Sequence, residues 1–169
     1  MTLNVDSVFT NVKDAENDYF NINVEGGLGY ARIVVKTADE TVGDQVLQND
    51  NELLFAVEPN KTYKFEMVII EDNALNKDIK FKIDVPAGTV GGFVYNGETD
   101  STIRYELRSG SVGTQYTISQ FAGDRAIKIE GSFYTGANGG SFIFQWADNA
   151  AGNTIVKAGS YILYYNLTI

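Results

Sequence analysis

The chain has 169 residues, of which 44% are hydrophobic and 21% charged, and its 22 acidic and 13 basic residues give a formal net charge of −9. This length and composition are typical of one globular domain with a sizeable core, and they exclude a disordered chain or one that needs a metal to fold. Cys and His are absent, which excludes disulfides, Ser-His-Asp and Cys-His catalysis, and zinc or iron sites held by those residues.

The acidic balance also bears on partners. Nucleic acid and anionic membranes repel such a surface, and the sequence contains no run of Lys or Arg that would offset the repulsion locally. Residues 1–9 (MTLNVDSVF) lack the charged and apolar regions of a signal peptide, and no apolar stretch approaches the roughly 18 residues that span a bilayer. We therefore expect synthesis in the cytoplasm, with neither nucleic acid nor membrane as a partner.

Alternation of apolar and polar residues predicts β-strands throughout the first half of the chain. Residues 19–24 and 30–36 alternate on either side of Gly26-Gly27, which indicates a hairpin. Further strands are predicted over 53–57, 63–70 and 79–85, and the last of these alternates strictly before Pro86.

The second half shows the same period. Strands are predicted over residues 103–107, 126–133, 141–147 and 160–167. No window of 11 or more residues keeps a helical period, and only residues 44–54 are ambiguous. About ten to twelve short strands separated by turn signals indicate an all-β fold. We predict an antiparallel jelly-roll-type β-sandwich.

A polar stretch, Thr37 to Gly43, marks the best candidate boundary within the chain. It divides a predicted N-terminal arm or hairpin, residues 1–43, from a jelly-roll-type core, residues 44–169. The alternative is that residues 1–40 simply add strands to one sheet of a single continuous domain.

Four acidic residues on predicted strands, Glu66, Asp84, Glu106 and Glu130, invite comparison with glycosidases, which use a pair of carboxylates. Each alternates with apolar positions, however, and therefore belongs to the solvent face of its strand. The chain also has only one Trp to serve as a sugar platform. We predict no catalytic residue and no enzymatic activity.

Two acidic stretches, residues 49–52 and 72–73, are predicted to lie in loops. Neither has the alternating oxygen ligands and distal Glu of a calcium loop, and Asp and Asn are also common turn formers. The glycine pairs do not precede a helix, so they form no phosphate-binding loop. We predict no metal and no cofactor.

The last predicted strand carries Tyr161, Tyr164 and Tyr165 next to aliphatic residues, so both of its faces are apolar. Such a strand is either central in a sandwich or covered on one side by another subunit. Aromatic residues are enriched at interfaces, and the three tyrosines are therefore our candidates for a subunit interface.

Several blocks of the sequence resemble a family of phage virion-associated proteins. Residues 45–66 contain a polar turn, an apolar strand and an N-x-T-Y-x-F-E step, and residues 78–88 end in V-P-A-G. The most specific part is C-terminal, where residues 145–149 match Q-W-A-x-N and residues 154–160 match T-x-V-x-A-G-S. The resemblance covers about residues 44–169 and leaves residues 1–43 unmatched.

This resemblance implies a structural part of a phage particle, namely a capsid decoration or head-fibre protein that binds the major capsid protein or other virion proteins. By analogy with jelly rolls that project from capsids, we expect a homotrimer. The alternative is a tail- or fibre-associated module that binds a receptor or carbohydrate, with Trp146 or Tyr134 as stacking platforms.

Overall fold

The computed structural model describes residues 31–73, 78–98, 105–119, 123–150 and 152–167. Within these residues the chain forms twelve β-strands and no helix, so the prediction of an all-β antiparallel sandwich is confirmed. The strands are β1 (Ala31–Val35), β2 (Glu40–Val42), β3 (Gln48–Val57), β4 (Thr62–Asn73), β5 (Asp78–Asp84), β6 (Val90–Glu98), β7 (Tyr105–Ser111), β8 (Gln115–Ser119), β9 (Gly123–Tyr134), β10 (Gly140–Asp148), β11 (Thr154–Val156) and β12 (Tyr161–Asn166).

These strands form two sheets. The small sheet has the order β3-β10-β5-β8, and the large sheet has the order β1-β12-β4-β9-β6-β7. Strand β11 pairs with β4 beyond the end of β12 and carries β2 on its other side. Every pairing is antiparallel.

Strands β3 to β10 are paired in a nested way. The hairpin β6–β7 is enclosed by the pair β5–β8, which is enclosed by β4–β9 and then by β3–β10. Successive pairs alternate between the large and the small sheet. One long hairpin wrapped around itself gives this order, so the topology favours the jelly-roll type within the sandwich class.

The core lies between the sheets and is filled by alternate residues of each strand. In β5, for example, Ile79, Phe81 and Ile83 are fully buried. Aromatic rings bridge the two layers, and the ring of Phe55 on β3 stacks on that of Tyr164 on β12 at a centroid distance of 3.7 Å. Burial of this apolar area is the main force that holds the sheets together.

Glycine allows two aromatic rings to pack across β6 and β9. In the register, Phe93 lies opposite Gly131, and Phe133 lies opposite Gly91. A Cβ atom on Gly131 would lie 2.6 Å from the Phe93 side chain, and one on Gly91 would lie 2.4 Å from that of Phe133. Both glycines are therefore required for close approach rather than for turns. The sequence pattern does not predict β6, because Gly91 and Gly92 interrupt the alternation. It does not predict the strands β2, β8 and β11 either.

Residues near the predicted domain boundary take part in the large sheet. Strand β1 pairs with β12, and β2 pairs with β11. Residues 31–42, which belong to the predicted N-terminal arm, therefore lie in the same sheet as strands of the predicted core. The first strand of the predicted N-terminal hairpin, residues 19–24, lies outside the described residues, and the division at residue 43 stays a prediction. In the described residues no helix is long and apolar enough to cross a membrane.

The ambiguous segment, residues 44–54, ends in a strand. Asn49 to Glu52 belong to β3, and residues 72–73 belong to β4, so the prediction that these two stretches lie in loops is wrong. Contacts with residues distant in sequence explain this, since Asp50 is buried and bonds to Lys36 at the end of β1 and to Trp146 on β10.

Candidate interaction surface

The outer face of the large sheet, which points away from the small sheet, carries an apolar surface at the β1–β12 end. In register, Val35, Tyr161 and Val68 form one row, and Ile33 lies beside Leu163 in the next. We call the outer apolar strip the set of six side chains on this face: Ile33, Val35, Val68, Tyr161, Leu163 and Tyr165. They alternate with residues that point into the core.

The strip remains partly accessible. Val35 is 45% exposed, and the other five side chains are intermediate in exposure. Partly exposed aromatic and aliphatic side chains that lie side by side are characteristic of the core of a protein interface.

The three predicted interface tyrosines do not lie together. Tyr164 is 6% exposed and packs in the core against Phe55. Tyr161 and Tyr165 lie on the outer face, as the alternation along β12 requires. A partner on this face would therefore meet Tyr161 and Tyr165 together with Leu163, while Tyr164 supports them from beneath.

The same outer face becomes charged over β4 and β9. The ammonium group of Lys128 lies 3.1 Å from a carboxylate oxygen of Glu130 and 3.5 Å from one of Glu66. The hydrogen bond to Glu130 and the two negative charges raise the pKa of Lys128 above its usual value. Farther along, Lys157 bridges Asp124 at 2.7 Å and Asp72 at 3.3 Å. Each ammonium group is thus shared by two carboxylates, so the charges of this region are paired in part within the chain.

The acidic residues singled out as possible catalytic groups have surface positions where they are described. Glu66 and Glu130 face each other across β4 and β9, and both share Lys128 on the open face of the sheet. Asp84 pairs with Lys82 at 2.7 Å. The side chain of Glu106 lies outside the described residues. This arrangement matches the predicted solvent face.

A smaller apolar surface lies elsewhere on the large sheet. Val90 and Tyr134 lie opposite each other in β6 and β9 and are 65% and 41% exposed. The Tyr134 hydroxyl donates a hydrogen bond to Asn60. Trp146, the other predicted stacking platform, is fully buried, so only Tyr134 is accessible to a ligand.

A buried charged cluster joins the two sheets, and no local pattern in the sequence predicts it. Lys36, at the end of β1, is 1% exposed, and its ammonium group donates hydrogen bonds to Glu40 at 2.7 Å and Asp50 at 3.0 Å. A carboxylate oxygen of Glu52 lies 3.7 Å from the same ammonium group, and Glu52 accepts hydrogen bonds from Thr37. Burial disfavours the charged form of Lys36, but the hydrogen bonds to Glu40 and Asp50 outweigh it and keep its pKa above the usual value.

Asp50 is the centre of this cluster. Its Oδ1 accepts hydrogen bonds from the backbone amides of Glu52 and Leu53, and its Oδ2 accepts one from the indole of Trp146 at 3.1 Å. The described residues contain no group of three or more acidic side chains arranged to hold a metal ion. The Lys36 ammonium group neutralises part of the charge instead.

No protein-family model matches the chain, and no curated protein is similar to it. Among solved structures, it is weakly similar to a chain of infectious bursal disease virus, Gt strain, with 10% identity over 82% of this chain and a TM-score of 0.17. A chain of the Gx strain gives 10% identity over 80% and a TM-score of 0.19. This chain spans 37% and 39% of those two chains. Such TM-scores are too low to show a shared fold or function.

Proposed function

We propose that the protein is a non-enzymatic structural protein of a phage particle, a capsid decoration or head-fibre protein on the outer surface. The observation that carries the proposal is the outer apolar strip, because a partly exposed apolar face on a rigid sheet is suited to assembly. The expected partners are a second and third copy of the chain and the major capsid protein or another virion protein.

Two further properties support this proposal. The resemblance to phage virion-associated proteins covers most of the residues that form the sandwich. The net charge of −9 suits the outside of a particle, where a protein must stay soluble and avoid binding DNA. A folded sandwich without Cys or His also needs no metal or redox chemistry to keep its shape.

The first test is light scattering coupled to gel filtration at micromolar protein concentration. A mass near three times 18.6 kDa is expected if the strip joins three copies. A monomer would contradict the trimer, and the capsid contact would then be tested by co-sedimentation with particles that lack the protein. Failure to bind particles as well would overturn the proposal.

The particle experiment has a useful truncation. Removing residues 1–30 keeps β1, whereas removing residues 1–40 also deletes β1 and Lys36 and would damage the sandwich. If residues 1–30 form the attachment arm, the shorter chain folds but no longer binds particles. If it binds normally, attachment depends on the sandwich itself.

The second candidate function, binding of a receptor or carbohydrate by a tail or fibre module, is favoured by one observation. Tyr134 is exposed beside Val90, and an exposed aromatic ring with an apolar neighbour can stack on a sugar. A glycan array that shows binding by the wild type and none by Tyr134→Ala would support this function. Silence across the host's surface sugars would count against it.

A further inference from the structure

The ion pair of Lys36 places an amine next to the carboxyl group of Asp50 in a buried site. Its Nζ lies 3.0 Å from Oδ1 of Asp50, which is bonded directly to the carboxyl carbon. Both residues are only 1% exposed. Two groups that the fold holds in contact and shields from water react more readily than the same groups free in solution.

We propose that Lys36 and Asp50 condense to form an intramolecular amide bond, with Glu40 as the proton carrier. The bond joins the end of β1, in the large sheet, to β3, in the small sheet. The chain contains no Cys, so an amide of this kind is a covalent link between the sheets that its composition permits.

The step balances without any other reactant. The lone pair of the neutral Lys36 amine forms the new bond to the Asp50 carboxyl carbon, and one carboxyl oxygen leaves as water. Starting from the ammonium ion and the carboxylate, the two protons lost from Nζ leave with that oxygen. One ammonium ion and one carboxylate become one neutral amide and one water molecule.

Glu40 is placed to move these protons. Its Oε2 accepts a hydrogen bond from Nζ at 2.7 Å, and an adjacent carboxylate is an effective general base and acid. The raised pKa of Lys36 means that the ammonium form predominates. The reaction therefore proceeds from the minor neutral amine that transfer of a proton to Glu40 produces, and we expect it to be slow.

The hydrogen-bond donors around Asp50 are placed to stabilise the negative charge that develops during the reaction. When the amine adds, negative charge develops on a carboxyl oxygen, and fixed hydrogen-bond donors stabilise such charge. The amides of Glu52 and Leu53 donate to Oδ1 at 3.0 and 2.8 Å, and the Trp146 indole donates to Oδ2. One end of the carboxyl group is thus held by two backbone donors.

The product also removes an electrostatic difficulty. The cluster brings one cation together with the carboxylates of Glu40, Asp50 and Glu52, of which Asp50 is fully buried. Buried ions are expensive to desolvate even when they are paired. Amide formation replaces the most deeply buried pair with an uncharged group.

The test is the intact mass of the purified full-length protein under denaturing conditions, followed over days after purification. We expect a mass lower than that of the sequence by one water molecule. Trypsin cleaves after Arg32 and Lys61, and it normally cleaves after Lys36 as well. The cross-linked chain should instead yield residues 33–61 as one peptide, lighter by one water.

Fragmentation of the 33–61 peptide should place the amide at Asp50 and not at Glu40, and two variants separate the proposal from other dehydrations. Lys36→Arg keeps the buried positive charge but cannot form this amide, and it should show the full mass with the same fold by circular dichroism. Glu40→Gln can keep the hydrogen bond from the Asn51 amide but cannot carry a proton, and its cross-linking should slow at least tenfold.

Three outcomes would overturn the proposal. A wild-type protein of full mass with normal cleavage after Lys36 would show an ordinary ion pair. Loss of water that persists in Lys36→Arg would place the dehydration at another residue. Cross-linking of Glu40→Gln at the wild-type rate would remove Glu40 from the reaction.

Discussion

The two halves of the outer face of the large sheet differ sharply although one continuous sheet carries them. Over β1 and β12 the outward side chains are aliphatic or aromatic, as in Ile33 and Leu163. Over β4 and β9 they include Glu66 and Glu130, which both form ion pairs with Lys128. The boundary falls within single rows of the register, for example between Leu163 and Glu66.

The difference shows which half needs a partner. The charged half already has its counter-ions within the chain, and exposed ion pairs of this kind add little to stability. The apolar half has no such internal compensation, because only removal from water stabilises it further. Assembly through the apolar half therefore gains free energy, whereas assembly through the charged half would first have to desolvate ion pairs.

The largest effect is expected from the core beneath the strip. The ring of Phe55 stacks on the rings of Tyr164 and Phe142, at centroid distances of 3.7 Å and 4.7 Å. Phe55→Ala therefore removes contacts to both sheets. We expect a loss of about 3–5 kcal/mol in the free energy of unfolding, measured by urea denaturation. Phe133→Ala, beneath the charged half, is the matched control and should cost a similar amount. If Phe55→Ala left the free energy of unfolding unchanged, the core beneath the strip would not stabilise the sandwich.

A change in assembly without a change in fold is expected from Leu163→Lys. The new ammonium group would lie opposite Glu66, so the sheet should tolerate it, but it places a charge in the middle of the strip. We expect oligomer formation or particle binding to weaken at least tenfold, a change of about 1.4 kcal/mol. Light scattering and co-sedimentation measure it.

Val94→Lys is the matched control for this substitution. It places the same group opposite Glu130 on the same face, outside the strip. We expect it to leave assembly unchanged. Equal weakening by both variants would show that added charge, rather than the position of the strip, decides assembly.

The smallest effect is expected from the charged half. The pKa of Lys128 is raised above its ordinary value of 10.5, so its ion pairs contribute stability below pH 10.5 and lose it as the pH rises through the raised value. The difference in thermal midpoint between wild type and Lys128→Met should therefore be small at neutral pH and vanish in alkali. It should also shrink in high salt. A difference that grows with pH would contradict this assignment.

Much of the sandwich follows from local pattern. The alternation over residues 79–85 predicts β5, observed as Asp78–Asp84, and the buried Phe142, Phe144 and Trp146 follow from the same rule in β10. Period-two alternation succeeds here because each strand buries one face against the other sheet.

Other features depend on partners far away in sequence. Asp50 looks like a turn residue until Lys36 and Trp146 are placed beside it, and Trp146 is 96 residues away. Strand β6 is not evident from its pattern, since Gly91 makes sense only opposite Phe133. The grouping of three tyrosines on β12 was too coarse, because alternation alone separates Tyr164 from the other two.

The position of β12 in chain order has a consequence for biosynthesis. A ribosome makes Tyr161–Asn166 after the other eleven described strands, yet this strand lies between β1 and β4 and carries half of the outer apolar strip. A chain whose synthesis stops before β12 lacks Tyr161, Leu163 and Tyr165, and its Phe55 has no Tyr164 to stack on. The outer apolar strip thus forms only in chains whose synthesis has passed β12, so shorter translation products are excluded from the assembly that we propose.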